Sequence, residues 1–219
     1  MKNKLTIFDR INNKMKRPNH TWKRFANSLL VFLSAFFKSR RVLGFPEHVM
    51  IEPTNVCSLK CPLCPAGSGT MKRRRGFLSL ANFKKIVDEI ADHIYYLTLA
   101  SYGEPFLNKD INAMIAYAKR KGLIVHVMTN AQHIDDLNIS TMIDERLDRI
   151  VISLDGACQA SYEKYRIGGD FQKVVEAIRA IGQAKLKRRS ASPSVMIQFL
   201  VMKFRFTLWL MISPDLVLE

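Results

Sequence analysis

The chain has 219 residues, 48% of them hydrophobic and 24% charged. That balance excludes a disordered polymer and suits one domain with a substantial core. Only four cysteines occur in this length, which excludes a disulfide-stapled scaffold, and the net charge of +15 is concentrated at one end. Residues 1–46 hold eleven Lys and Arg against one acid, Asp9, leaving a mildly basic body. A basic extension of this kind could face nucleic acid, anionic lipid, an acidic partner or solvent.

Residues 1–24 are polar and basic, broken at Pro18. The apolar run 25–37 is too short to span a bilayer, which takes about 20 residues. Its flanks, Trp22, Lys23, Arg24, Lys38, Arg40 and Arg41, suit two settings. One is a helix packed across the bottom of a barrel, the preferred reading. The other is peripheral membrane contact through residues 22–41. Residues 48–53 then read as a strand stopped by Pro53.

The next stretch is Cys57-Ser-Leu-Lys-Cys61-Pro-Leu-Cys64-Pro65, a C-x3-C-x2-C spacing. Three soft thiolates suit an iron–sulfur cluster or zinc, and three ligands leave one coordination position open for chemistry. A structural zinc site completed by a distant His or by Cys158 is the alternative. The basic loop 66–78 leads to Ser79, a helix N-cap, and to a helix over 80–92 carrying Phe83, Ile86, Val87 and Ile90. Strand and helix then alternate. Strands are predicted at 94–100, 123–128, 149–155 and 194–202. Helices are predicted at 109–121, ending at Gly122, at 138–146, and after the cap Asp170. Five short apolar strands at roughly thirty-residue intervals indicate βα units with a parallel sheet. Periodicity leaves an open doubly wound sheet and a (β/α) barrel equally available.

In parallel α/β folds, ligands bind where strands end. The cysteine loop follows strand one, Gly103-Glu104-Pro105 follows strand two, Thr129-Asn130 ends strand three, and Ser153 and Asp155 end strand four. One rim therefore gathers thiolates, carboxylates, an amide and a hydroxyl. The segment from Ile51 to Pro65 resembles the cluster motif of the radical S-adenosylmethionine (radical SAM) enzymes, with Leu63 where that family often has an aromatic residue. Tyr102-Gly103-Glu104-Pro105, Ser153-Leu-Asp155-Gly156 and Tyr162 to Phe171 resemble further elements of the family, the last of its SPASM-like subgroup.

The resemblance implies a partial (β/α) TIM-like barrel of about five of the six βα units. It implies a [4Fe–4S] cluster on Cys57, Cys61 and Cys64, with S-adenosylmethionine on the remaining iron. Gly103 and Glu104 are then expected beside its ammonium, Ser153 and Asp155 beside its ribose, and Arg166 beside its carboxylate, with Asn130 on the same rim. Reductive cleavage would give a 5′-deoxyadenosyl radical that takes hydrogen from an unidentified substrate, a peptide or a small molecule. Flavodoxin or ferredoxin would donate the electron, in the cytoplasm, where thiolates survive. The competing function is a non-catalytic zinc or cluster module whose basic arm contacts nucleic acid or membrane. The expected organisation is an extension at 1–45, a core at 46–204, and an atypical tail at 205–219 with no helical period, as a frameshift would leave. Cys158 is expected to have no role, and the basic runs 72–75 and 187–189 to be solvated, the alternative for the first, near the cysteine loop, being to steer an anionic substrate or reductant.

Overall fold

The computed structural model describes residues 21–201, so the expectations for the tail at 205–219 lie outside the described residues. Its centre is a five-stranded sheet: β1 (His48–Ile51), β2 (Tyr96–Leu99), β3 (Ile124–Thr129), β4 (Arg149–Ser153) and β5 (Ser194–Gln198). All neighbouring strands are parallel and their order is β1-β2-β3-β4-β5. A doubly wound sheet reverses its strand order at a switch point. This sheet runs in sequence order throughout, which is the topology of a barrel wall, and so decides what periodicity left open.

The helices are α1 (Trp22–Phe36), α2 (Pro65–Ser68), α3 (Leu80–Ile90), α4 (Ile111–Arg120), α5 (Asp136–Asp144), α6 (Gln159–Tyr162) and α7 (Phe171–Lys187), with a 3₁₀ turn at Pro105–Leu107. Ser79 and Asp170 cap α3 and α7, each accepting from a backbone N–H three residues on. Asp135 caps α5, and Asn138 completes a reciprocal capping box. That box starts the helix two residues earlier than its apolar spacing suggests. Gly122, just past α4, has φ of 70°, a left-handed conformation that suits glycine.

The two faces of the sheet differ. Leu97, Leu99, Val125, Val127, Ile150 and Ile152 are fully buried against Phe83, Val87, Met114, Ile115, Met142 and Ile181 of the helices. The opposite face carries His48, Tyr96, Thr98 and His126, with His48 Nε2 2.7 Å from Thr98 Oγ1. Among the described residues the helices pack on one side, so the polar side becomes the concave interior of the partial barrel.

α1 sits beneath the strands. Arg24 donates to the carbonyls of Ala91, Lys121 and Gly122 at 3.0, 2.9 and 3.0 Å. Asn27 donates to Phe45 and His93 carbonyls and accepts from the Phe45 N–H. These carbonyls lie just before β1, β2 and β3, so α1 closes the end of the sheet opposite the cysteine loop.

Candidate functional site

The cysteine loop is held by its own polar residues. Buried Thr54 donates to the Gly76 carbonyl at 2.8 Å and accepts from the Val56 N–H at 3.0 Å. The Asn55 side chain pairs with Arg74 O and Gly76 N–H, tying the loop to the segment before α3. Gly103 explains why the second motif needs glycine: a Cβ there would lie 1.9 Å from the Thr54 carbonyl oxygen. The loop after β2 therefore presses directly on the cysteine loop, and the Glu104 N–H donates to Val56 O at 2.9 Å.

Each thiol faces a different neighbour. Asn130 Nδ2 points at Cys57 Sγ from 3.6 Å. Arg166 Nη1 lies 3.9 Å from Cys61 Sγ, and Cys64 Sγ lies 3.8 Å from Tyr102 O. Cys61 is buried, while Cys57 and Cys64 are half-buried. Burial is the main cause that raises the Cys57 and Cys61 thiols above their ordinary value, with mutual repulsion among the three adding to it. Metal binding takes cysteine as the thiolate, so loading the site releases protons.

Glu104 is the residue whose setting departs furthest from its expected one. It is 2% exposed, and its carboxylate accepts from Thr129 Oγ1 at 2.6 Å, the Asn130 N–H at 2.7 Å and the Phe106 N–H at 3.2 Å. Burial pushes its carboxyl upward, against the pull of these donors. The carboxylate thus joins the end of β2 to the end of β3 and, through Asn130, orients the donor that meets Cys57.

Asp155 is also buried, ion-paired with Arg166 and accepting from the Leu200 N–H at 2.7 Å. Burial pulls the Arg166 guanidinium down, but Asp155 and Cys61 outweigh it and hold it above its ordinary value. Ser153 is half-buried at the end of β4, opposite Gln198 of β5. The structure therefore brings Cys57, Cys61, Cys64, Gly103, Glu104, Asn130, Asp155 and Arg166 to one rim.

Some residues of the rim were not legible in the sequence. Arg73 stays exposed, as expected of its basic run, yet pairs with Glu52 at 2.9 Å and lies over the Tyr102 ring. Burial works to raise the Glu52 carboxyl, but bonds from Arg73, the Tyr102 N–H and Ser101 hold it below the usual carboxylate range. Tyr162 is fully buried, its hydroxyl pushed up to about 12 by burial and accepting from Gln132. No spacing rule links Gln132 to Tyr162 across thirty residues. Cys158 is exposed at the start of α6, where its thiol meets the Ser161 hydroxyl.

The donor set fits a cluster. Among the described residues no three His, Cys, Asp or Glu side chains converge on a single ion. A [4Fe–4S] cubane needs no such convergence, since each thiolate takes a different iron. Three thiols close enough to repel one another, with N–H donors aimed at two of the sulfurs, are suited to it.

A partial α/β barrel with three thiols at the carboxyl ends of its strands defines a class of cluster-bearing barrel proteins. The chain belongs to the radical SAM superfamily, whose profile matches residues 51–202. That membership brings a [4Fe–4S] cluster and S-adenosylmethionine as cofactors. The chain is 29% identical over 116 residues to the PqqA peptide cyclase of Rhodopseudomonas palustris, covering 52% of this chain and 30% of that protein. It is 30% identical over 145 residues to the mycofactocin maturase MftC of Mycobacterium tuberculosis, covering 66% and 36%. The chain thus spans about a third of the length of these relatives. Streptococcus suis SuiB bound to its precursor peptide SuiA superposes with a TM-score of 0.64 at 18% identity, over 78% of this chain and 36% of that one. That likeness establishes the shared fold.

Proposed function

We propose that the protein is a radical SAM enzyme of the SPASM-like group acting on a peptide substrate in the cytoplasm. The observation that carries this reading is the convergence of Cys57, Cys61 and Cys64 with Asn130, Asp155 and Arg166 on one strand-end rim. The three cysteines would hold the cluster. Gly103, Asn130, Ser153, Asp155 and Arg166 would line the space for S-adenosylmethionine, with the buried Glu104 supporting them from beneath. When bound, the pair supplies one-electron cleavage to methionine and a 5′-deoxyadenosyl radical, which takes a hydrogen atom from the substrate.

The protein's own residues set the stage for that chemistry. Asn130 and Arg166 direct N–H groups at sulfur and offset its negative charge. Asp155 fixes the Arg166 guanidinium so that its outer nitrogens can meet a carboxylate. Glu104 keeps the β2 and β3 ends in register beneath the cofactor space. The peptide class is supported by the relatives, named a peptide cyclase and a maturase, and by a neighbour bound to a precursor peptide. A small flavin or iron–sulfur protein such as flavodoxin or ferredoxin would donate the electron.

Anaerobic reconstitution tests the reading. About four irons per chain, and 5′-deoxyadenosine formed from S-adenosylmethionine and dithionite, are expected. Stoichiometric zinc without 5′-deoxyadenosine would make the protein a non-catalytic metal module instead.

A further inference from the structure

α1 is inverted. At 3.6 residues per turn, Arg24, Asn27 and Ser34 share one face, and this polar face is the buried one. Arg24 and Asn27 satisfy backbone carbonyls beneath the sheet, and Ser34 Oγ accepts from the Leu43 N–H at 2.9 Å. The opposite face carries Trp22, Leu29, Phe32 and Phe36. Trp22 is 77% exposed, Phe36 67%, and Phe37 at the helix end 71%. Val42 and Leu43 extend the apolar surface beyond the helix. A contiguous exposed patch of this kind marks an interaction surface.

Its surroundings select the occupant. Lys38, Arg40 and Arg41 stand exposed at the end of the patch, and no acid occurs between Asp9 and Glu47. A second copy would bring no acid from residues 10–46 to pair with Lys38, Arg40 and Arg41 at the edge of the contact. A surface with an apolar interior and anionic headgroups complements both features. Among the described residues no helix is long and apolar enough to cross a membrane. We propose that α1 and residues 37–43 lie on an anionic phospholipid surface, with the apolar face in the interfacial layer. Because α1 closes the end of the sheet opposite the cysteine loop, docking there leaves the site rim open to solvent and substrate.

The inference does not depend on the chemistry of the rim. It is tested with the full reconstituted chain, floated with vesicles of phosphatidylcholine alone or mixed with phosphatidylglycerol. Flotation is expected with the anionic vesicles only and should weaken in high salt. The double variant F36S/F37S keeps every charge, and K38A/R40A/R41A keeps every apolar contact. Each is expected to lose roughly tenfold or more of the bound fraction. All five positions are exposed, and unchanged iron content and circular dichroism check the fold. Full binding by F36S/F37S would reduce the effect to charge alone and overturn the proposal. Equal binding to neutral vesicles would overturn it too. So would a dimer in sedimentation that F36S/F37S abolishes, with no flotation. Flotation without 5′-deoxyadenosine formation would sink the enzymatic reading and leave this one standing.

Discussion

Replacing Arg24 with Met should free α1 from the base of the barrel. Arg24 is 3% exposed and donates three bonds of 2.9–3.0 Å to carbonyls of Ala91, Lys121 and Gly122. A hydrogen bond from a charged donor contributes about 1.5–3 kcal/mol net, so three sum to roughly 4.5–9 kcal/mol. That sum is an upper bound, because the carbonyls regain water if the helix lifts away. The loss cannot exceed the free energy with which α1 docks, so the expected effect is about 1.5–3 kcal/mol, the net worth of one such bond. Urea denaturation followed by circular dichroism measures the global loss. Hydrogen exchange over residues 22–36 reports the detachment. Arg24→Lys, which keeps the charge but not the three-way fork, should fall between the two. A loss under about 1 kcal/mol, with unchanged protection in α1, would refute the anchoring role.

Three further outcomes test other levels of the structure. Asn130→Ala removes the donor facing Cys57, and the reduced cluster carries more negative charge, so its potential should fall by about 20–40 mV, equivalent to about 0.5–1 kcal/mol for one electron. A redox titration of the reconstituted protein monitored by electron paramagnetic resonance measures this, and no shift means the contact is not made in the loaded protein. Phe83→Ala, at a fully buried position between α3 and the sheet, should cost about 3–5 kcal/mol in denaturant unfolding, and a loss near zero would place α3 off the sheet. Cys61→Ser should abolish most iron retention while Cys158→Ser leaves it intact, and the reverse result would remove Cys61 from the ligand set.

Elements with one dominant period were readable in the sequence. Phe83, Ile86, Val87 and Ile90 mark α3, and Ser79 marks its start, because burial and capping act over a few residues. Strand order was not readable, since any run of βα units has the same local pattern. α1 was readable as a helix but not as an inverted one. Apolar periodicity assumes that the apolar face turns inward, and here three backbone carbonyls under the sheet require donors instead. At the site, the cysteine spacing and the Gly103 turn were legible. The engagement of Glu104 by Thr129 and Asn130 was not, because it spans 25 residues and depends on the register of β2 with β3.

The rim has a division of labour that the spacing alone conceals. One loop from β1 carries all three thiols, yet each is matched by a different later segment. Cys64 meets the turn after β2, Cys57 meets Asn130 after β3, and Cys61 meets Arg166, itself fixed by Asp155 after β4. A C-x3-C-x2-C loop can fan its sulfurs toward three strand ends only if those ends are adjacent and in sequence order, as they are here. The same order puts Glu104 between the β2 and β3 ends, where a buried carboxylate can hold both. Barrel topology therefore does more than gather polar residues at one end. It gives each sulfur its own electrostatic neighbour: a backbone carbonyl, a neutral amide and a guanidinium. Three chemically identical thiols of one loop thereby sit in three inequivalent surroundings.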